Sequence, residues 1–292
     1  MPLLARAPES LSQREQLLDH GYTVVRGALD SRMLAALTAY SDSMLAAEER
    51  EHFERFSFHG SMVPLSWREE LTAQLIDWPA TLEALTQLGF DQPKWLSGYV
   101  ISKPPRSPAL WWHQDWWAWD EPESLSASPP QMFVMYYLRD VGPNDGCLRV
   151  IPGSHRRRHR LHDELPEAHS EKLRESGVAE RAQSRQPDEV AVPVRAGDAV
   201  VGDVRLLHGT YANGSDRRRT CFTLWYLPTY DALSERLKSY VVQHPFLPPA
   251  GWWRREPEVE VPERLARLLP TYDGAAPPAD YRRTPPREFA CR

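Results

Sequence analysis

DAVVGDVRLLHGTYANGSDRRRTCFTLWYLP, residues 198–228, sets the architecture of the chain. It holds an apolar run ending in His208, a turn-forming stretch around Asn213 and Gly214, and a second β-branched and aromatic run that begins at Arg219. No helical period separates the two runs, so they read as neighbouring strands rather than the halves of a βαβ unit. The same rhythm begins at Lys94. KWLSGYVISK, QMFVMYYLRDV, CLRVIPGS and VAVPVRAGD are short strand-like runs punctuated by Pro, Gly, Asn and Asp. Several strands at this spacing predict a sandwich or barrel and disfavour a parallel doubly wound sheet.

Upstream of Lys94 the pattern is mostly helical. Ser12 is placed to cap QREQLLDH, which stops at Gly21, and YTVVRG then reads as a strand. DSRMLAALTAYSDSMLAAEER repeats its apolar residues with a helical period behind Asp30 or Ser31 as cap. WREELTAQLIDWPATLEALTQLGF reads as two helices broken at Pro79. We therefore expect one domain over 1–230, including the N-terminal helices. Residues 231–292 form an extension packed on it, which begins helically and then becomes rich in Pro, Trp and Arg.

Composition narrows the class. The chain has 292 residues, 41% hydrophobic and 26% charged, with a net charge of −5, which suits a soluble globular protein and gives no electrostatic reason for nucleic-acid binding. Cys147, Cys221 and Cys291 have no CxxC spacing, so neither a disulfide framework nor a cysteine zinc site is expected, and a reducing cytoplasm fits. No run approaches the roughly 18–20 apolar residues of a membrane span, and MPLLARAPES has no signal-peptide core. Oligomeric state is left open.

The chemistry centres on WWHQDWWAWD, residues 111–120. In a strand, residues i and i+2 share a face, so His113 and Asp115 aim together while Gln114 and Trp112 turn away; strict alternation would put Trp111 and Trp117 on the metal side. An imidazole nitrogen and a carboxylate oxygen make two adjacent ligands for a divalent metal, and His208 is the natural third. Two histidines and one carboxylate on one face leave open positions, the pattern of non-haem Fe(II) oxygenases. Eleven residues after His208, Arg219 enters the next strand, where its planar fork suits the far end of a dicarboxylate chelating the metal. Thr210, two residues from His208, can donate to that same carboxylate. A zinc hydrolase with the same ligands, or a non-catalytic binding module on the same barrel, are the competing readings.

These residues, with KPP at 103–105, GCLRVIPGSH at 146–155, AGD at 196–198 and DHGYTVVRGALD at 19–30, resemble the phytanoyl-CoA dioxygenase family over about residues 12–230. The resemblance implies a mainly β fold with flanking helices, a double-stranded β-helix of the jelly-roll or cupin-like barrel type. It implies His113, Asp115 and His208 as ligands to Fe(2+), and Arg219 and Thr210 on the distal carboxylate of 2-oxoglutarate. Tyr99, with Met135 or Tyr137, would line that pocket. No secure counterpart is found for an upstream lysine that touches the co-substrate in some members. The implied reaction spends O2 and 2-oxoglutarate to oxidise a C–H bond, usually by hydroxylation, and releases succinate and CO2. No protein acid or base is assigned to it. Because Asp115 is present, halogenation is disfavoured.

Trp116, Trp117 and Trp119 follow the ligands and are the candidate substrate contacts, pointing to a hydrophobic or polycyclic small molecule of secondary metabolism. Other polar residues read as structural. Residues 154–189 form a long charged insert of lid or loop type, and its His155, His159 and His162 read as part of a charged face rather than a zinc site. Arg217 and Arg218 read as solvated, Cys147 and Cys221 as buried strand residues, and Asp198 and Asp203 as turn residues. Trp252 and Trp253 read as packing on the barrel.

Overall fold

In a computed structural model, the protein is described at residues 11–55, 60–167, 170–174, 177–243, 261–277, 279–286 and 289. The N-terminal helices are α1 (Gln13–His20), α2 (Ser31–Ala46), α3 (Arg50–Arg55), α4 (Glu70–Ile76) and α5 (Pro79–Gln87). Ser12 and Glu15 cap α1 reciprocally, and Asp30 caps α2 by accepting from the Met33 backbone N–H. Pro79 opens α5 at its first position, where its missing N–H costs nothing. Gly21 ends α1 at φ 88°, and a side chain there would strike His155 and Leu206, so both conformation and space require glycine.

Ten strands follow the chain: β1 (Tyr22–Val25), β2 (Ser61–Pro64), β3 (Lys94–Lys103), β4 (Leu110–His113), β5 (Met132–Tyr137), β6 (Leu148–Val150), β7 (Val190–Val192), β8 (Ala199–Asp203), β9 (His208–Thr210) and β10 (Arg219–Leu227). They form two antiparallel sheets, a larger one in the order β1-β8-β5-β10-β3-β2 and a smaller one in the order β4-β9-β6-β7. The sheets close face to face as the double-stranded β-helix. β2 lies in a region that the sequence read as helical. Its four residues are too few to show a period, and pairing to the outer edge of β3 decides their state.

Each central strand of the large sheet serves two cores. Met132, Val134 and Tyr136 of β5, with Phe222, Leu224 and Tyr226 of β10, pack outward against α2, α4 and α5. Phe133, Met135 and Tyr137, with Cys221 and Trp225, point into the barrel. Burial on both faces explains why these strands read as continuous apolar runs, although the sheet is antiparallel. Polar tips tie the helices down: Tyr136 Oη donates to Thr81 Oγ1 at 2.7 Å and Tyr226 Oη to the Ile76 carbonyl at 2.9 Å.

The 154–189 insert is ordered where described. It contains α6 (Leu161–Glu164) and α7 (Val178–Gln183), and buries Leu161, Leu173 and Ala182 against the small sheet. Arg149 of β6 clamps it, donating to the carbonyls of Leu110 and Gln183 while its guanidinium lies over the Trp112 ring. Two expectations are corrected here. His155 is 1% exposed, with Nε2 on the Leu18 carbonyl, rather than part of a charged surface. Trp111 packs on Leu173 and Ala182 instead of sharing the metal face, because a register shift between Leu110 and His113 breaks strict alternation.

Past β10, α8 (Glu235–Gln243) and α9 (Glu263–Ala266) lie against the same cores: Leu237, Val241 and Phe289 join the barrel interior, and Leu265 and Leu268 the outer one. Trp252 and Trp253 fall outside the described residues.

Candidate metal centre and co-substrate pocket

β4 and β9 are paired with His113 opposite His208, and this register brings the two imidazoles to 4.2 Å between ring centres. β4 ends at His113, so Asp115 stands on the loop beyond it, where its backbone N–H donates to the Val204 carbonyl at 2.7 Å. Asp115 Oδ1 lies 3.6 Å from His113 Nε2, and Oδ2 lies 3.8 Å from His208 Nε2. Among the described residues, these three are the one group of metal-capable donors, with one ligand atom of each within 4.8 Å of the others.

The hydrogen bonds behind the rings orient them. His113 Nδ1 faces the Trp111 carbonyl at 3.0 Å and His208 Nδ1 faces the Leu206 carbonyl at 2.9 Å. A carbonyl only accepts, so each Nδ1 carries the proton and the Nε2 of a neutral ring presents a lone pair. Two lone pairs and a carboxylate converging in a buried space repel one another until a cation sits among them. The donor set therefore fits a divalent metal with two imidazoles and one carboxylate.

A second feature lies deeper in the barrel. Arg219 opens β10 directly opposite Lys103, the last residue of β3, so both side chains share the inner face. They are 3% and 0% exposed, and no carboxylate pairs with either among the described residues. Lys103 Nζ donates to the Pro108 carbonyl at 2.5 Å, and Arg219 Nη1 contacts Cys221 Sγ at 3.1 Å. Arg219 Nε and Thr210 Oγ1 are buried without a hydrogen-bond partner among the described residues. Burial first, then the charges of Arg219 and Arg149, pull the Lys103 ammonium down to about 7. Two buried cations with no carboxylate partner among the described residues, beside the unsatisfied Arg219 Nε and Thr210 Oγ1, could hold an anion.

The sequence-predicted pocket residues Tyr99, Met135 and Tyr137 line the same interior at 3%, 8% and 1% exposure. Burial raises the phenols of Tyr99 and Tyr137 above their ordinary range, so both stay protonated. Trp116, Trp117 and Trp119 are also buried. Trp116 donates to Ser124 Oγ at 2.8 Å and Trp117 to Gln131 Oε1 at 2.9 Å. Trp117 stacks on Tyr240 at 4.6 Å, and Trp119 meets Phe289 edge-on at 4.7 Å. Arg205 pins their loop: paired with Asp203 at 2.6 Å, it donates to the carbonyls of Ser124, Ser126 and Ser128. The Asp203 turn is thus an internal ion pair. Asp198 does serve a turn, accepting from the Gly27 and Arg195 backbones.

Sequence reasoning passed over Lys103 and Trp225, whose Nε1 lies 3.3 Å from Asp115 Oδ2. Their signals were present: Lys103 shares the inward parity of Tyr99 along β3, and Trp225 shares that of Arg219 along β10.

Comparison with known proteins adds a family and a shared fold. The phytanoyl-CoA dioxygenase (PhyH) family matches residues 17–221. L-proline trans-4-hydroxylase of Streptomyces griseoviridis is 28% identical over 177 residues, spanning 54% of this chain and 63% of its own length. The chain thus matches less than two thirds of that curated relative. The fold is shared with the nogalamycin-biosynthesis carbocyclase SnoK (24% identity, TM-score 0.53, 75% of this chain and 84% of that one). It is shared as well with HygX of Streptomyces hygroscopicus, solved with nickel and 2-oxoglutarate (20% identity, TM-score 0.53, 75% and 88%).

Proposed function

Since this chain belongs to the phytanoyl-CoA dioxygenase family, we propose that it is an Fe(II)- and 2-oxoglutarate-dependent dioxygenase that oxidises, by hydroxylation, a C–H bond of a hydrophobic or polycyclic small molecule, in secondary metabolism. One observation carries the reading: a His–Asp–His donor set and an unpaired buried Arg–Lys pair share one barrel. Relatives named for hydroxylation, carbocyclisation and epimerisation support the reaction class and the metabolic setting.

His113, Asp115 and His208 would hold the iron. Arg219, Lys103 and Thr210 would hold the distal carboxylate of 2-oxoglutarate, with Tyr99, Met135 and Tyr137 as walls. Together, iron, 2-oxoglutarate and O2 supply C–H oxidation, with succinate and CO2 as co-products. The protein's own part is positional. The Nδ1 bonds of the two histidines fix their rings, and Arg219 sets the co-substrate's depth. The indoles and phenols clustered at Trp117, Tyr240 and Tyr281 suit a flat apolar substrate.

Anaerobic titration with Fe(II) and 2-oxoglutarate is expected to give a visible charge-transfer band. O2-dependent succinate formation is expected to vanish in His113→Ala. Activity with zinc and without O2 would establish the hydrolase instead. A protein that binds neither iron nor 2-oxoglutarate would refute the enzyme reading.

A further inference from the structure

Asp115 differs from the two histidines in how it is held. His113 and His208 sit within paired strands, whereas β4 has already ended before Asp115, and no ladder sets the direction of its carboxylate. Its backbone N–H is fixed on the Val204 carbonyl, and its carboxylate faces both imidazoles. Trp225 Nε1 lies 3.3 Å from Oδ2, the oxygen on the His208 side, while Oδ1 is the oxygen on the His113 side.

The indole is itself tightly held. Trp225 is 8% exposed, packs edge-on against Tyr99 at 6.0 Å between ring centres and 83° between planes, and pairs with Phe133 across the β5 ladder. Beside it the β10–β3 register jumps from Trp225↔Ser97 to Tyr226↔Trp95, leaving Leu96 without an opposite residue. Such a bulge adds local twist and re-aims side chains at a barrel rim. An indole N–H is a donor only and cannot take a metal, so the contact has one chemical meaning: it occupies a lone pair of Oδ2.

We propose that Trp225 is a positioning residue of the metal centre, whose indole N–H holds Oδ2 of Asp115 so that the carboxylate presents Oδ1 alone to the metal. A carboxylate held this way fills one coordination position rather than two and keeps the others open for co-substrate and O2. β10 then serves both halves of the site, with Arg219 at one end for the co-substrate and Trp225 six residues on for the metal ligand. The assignment rests on the iron-site reading above.

The test is anaerobic Fe(II) titration, with Co(II) as a spectroscopic probe, on the parent protein, Trp225→Phe and Trp225→His. Phe keeps a ring but loses the N–H, and is expected to weaken metal binding about 10–100-fold, as loss of a ligand's hydrogen-bonding partner does. The Co(II) visible bands are expected to shift as the carboxylate becomes free to bind through both oxygens. His returns a ring N–H and is expected to bind and absorb as the parent does; this arm stands alone if the Phe protein does not fold. Parent-like affinity and bands in the Phe protein would overturn the assignment. So would a folded His protein that loses both, since the ring would then matter only for packing. A parent that binds no metal refutes the iron-site reading itself, which separates that failure from this one.

Discussion

Replacing Lys103 by Met tests the anion pocket in two directions at once. Met nearly matches the aliphatic stem and can fill the same channel between Gly146 and Pro108. What it removes is a buried ammonium beside Arg219 and Arg149. In the ligand-free protein that charge is a liability, so the Met variant is expected to unfold at the same temperature as the parent or higher. With 2-oxoglutarate present, the parent gains a charge-assisted hydrogen bond, about 1.5–3 kcal/mol. At 1.4 kcal/mol per factor of ten, the variant is expected to bind 2-oxoglutarate roughly 10–100-fold more weakly, with Fe(II) affinity unchanged. The pH dependence has a definite sign. The folded ammonium titrates at about 7 against an ordinary 10.5. Between those values the unfolded chain holds a proton that the folded chain lacks, so stability contributed by this group rises with pH across the window and is lowest below about 7. A bound dicarboxylate reverses that disadvantage, and thermal stabilisation by 2-oxoglutarate is expected to be greatest at the acidic end. Calorimetric titration and thermal melts across that range read all three quantities. Unchanged 2-oxoglutarate affinity together with a lower melting temperature would show that Lys103 only packs, and would refute the pocket.

Arg219→Ala is expected to raise the KM for 2-oxoglutarate well above tenfold while Fe(II) binding holds, as anaerobic titration of each ligand separately would show. Asp203→Asn leaves the Arg205 guanidinium buried beside three loop carbonyls without its counter-charge. It is expected to lower stability by about 3–5 kcal/mol in urea unfolding, with the Trp116–Trp119 loop most exposed to proteolysis.

How much of this was legible in the sequence depends on the range of each signal. The capped helices, the break at Pro79 and the strands from Lys94 onward are local, set by caps, turn residues and β-branching. His208, Thr210 and Arg219 could be placed because each lies on a strand whose parity is countable. The inward parity of Lys103 with Tyr99 was countable too, but what it pairs with depends on the residue across the ladder, and register between β3 and β10 leaves no mark on either strand alone. Trp111 was misplaced by a register shift, and His155 by its charged neighbours, whose composition hides the one side chain that tucks behind α1. Only the packing of α1 on the GSH turn decides that burial.

The indoles show how the fold uses this division. Sequence alone offers Trp116, Trp117 and Trp119 as equivalent, yet their N–H groups have different fates. Those of Trp116 and Trp117 are spent on Ser124 and Gln131 inside the loop, while Trp225, far away in sequence, turns its N–H toward Asp115. The loop is thus fixed by its own tryptophans and by Arg205 before any ligand arrives, and Asp115 is carried on a rigid base. That matters because like groups face one another at both ends of the site, the donors of His113, Asp115 and His208 at one and the cations of Lys103 and Arg219 at the other. Like groups are held this close, against their repulsion, only where surrounding packing fixes the side chains. Here the two apolar cores on either face of β5 and β10 supply that packing, and the iron and dicarboxylate that fit the site are the groups that would relieve it.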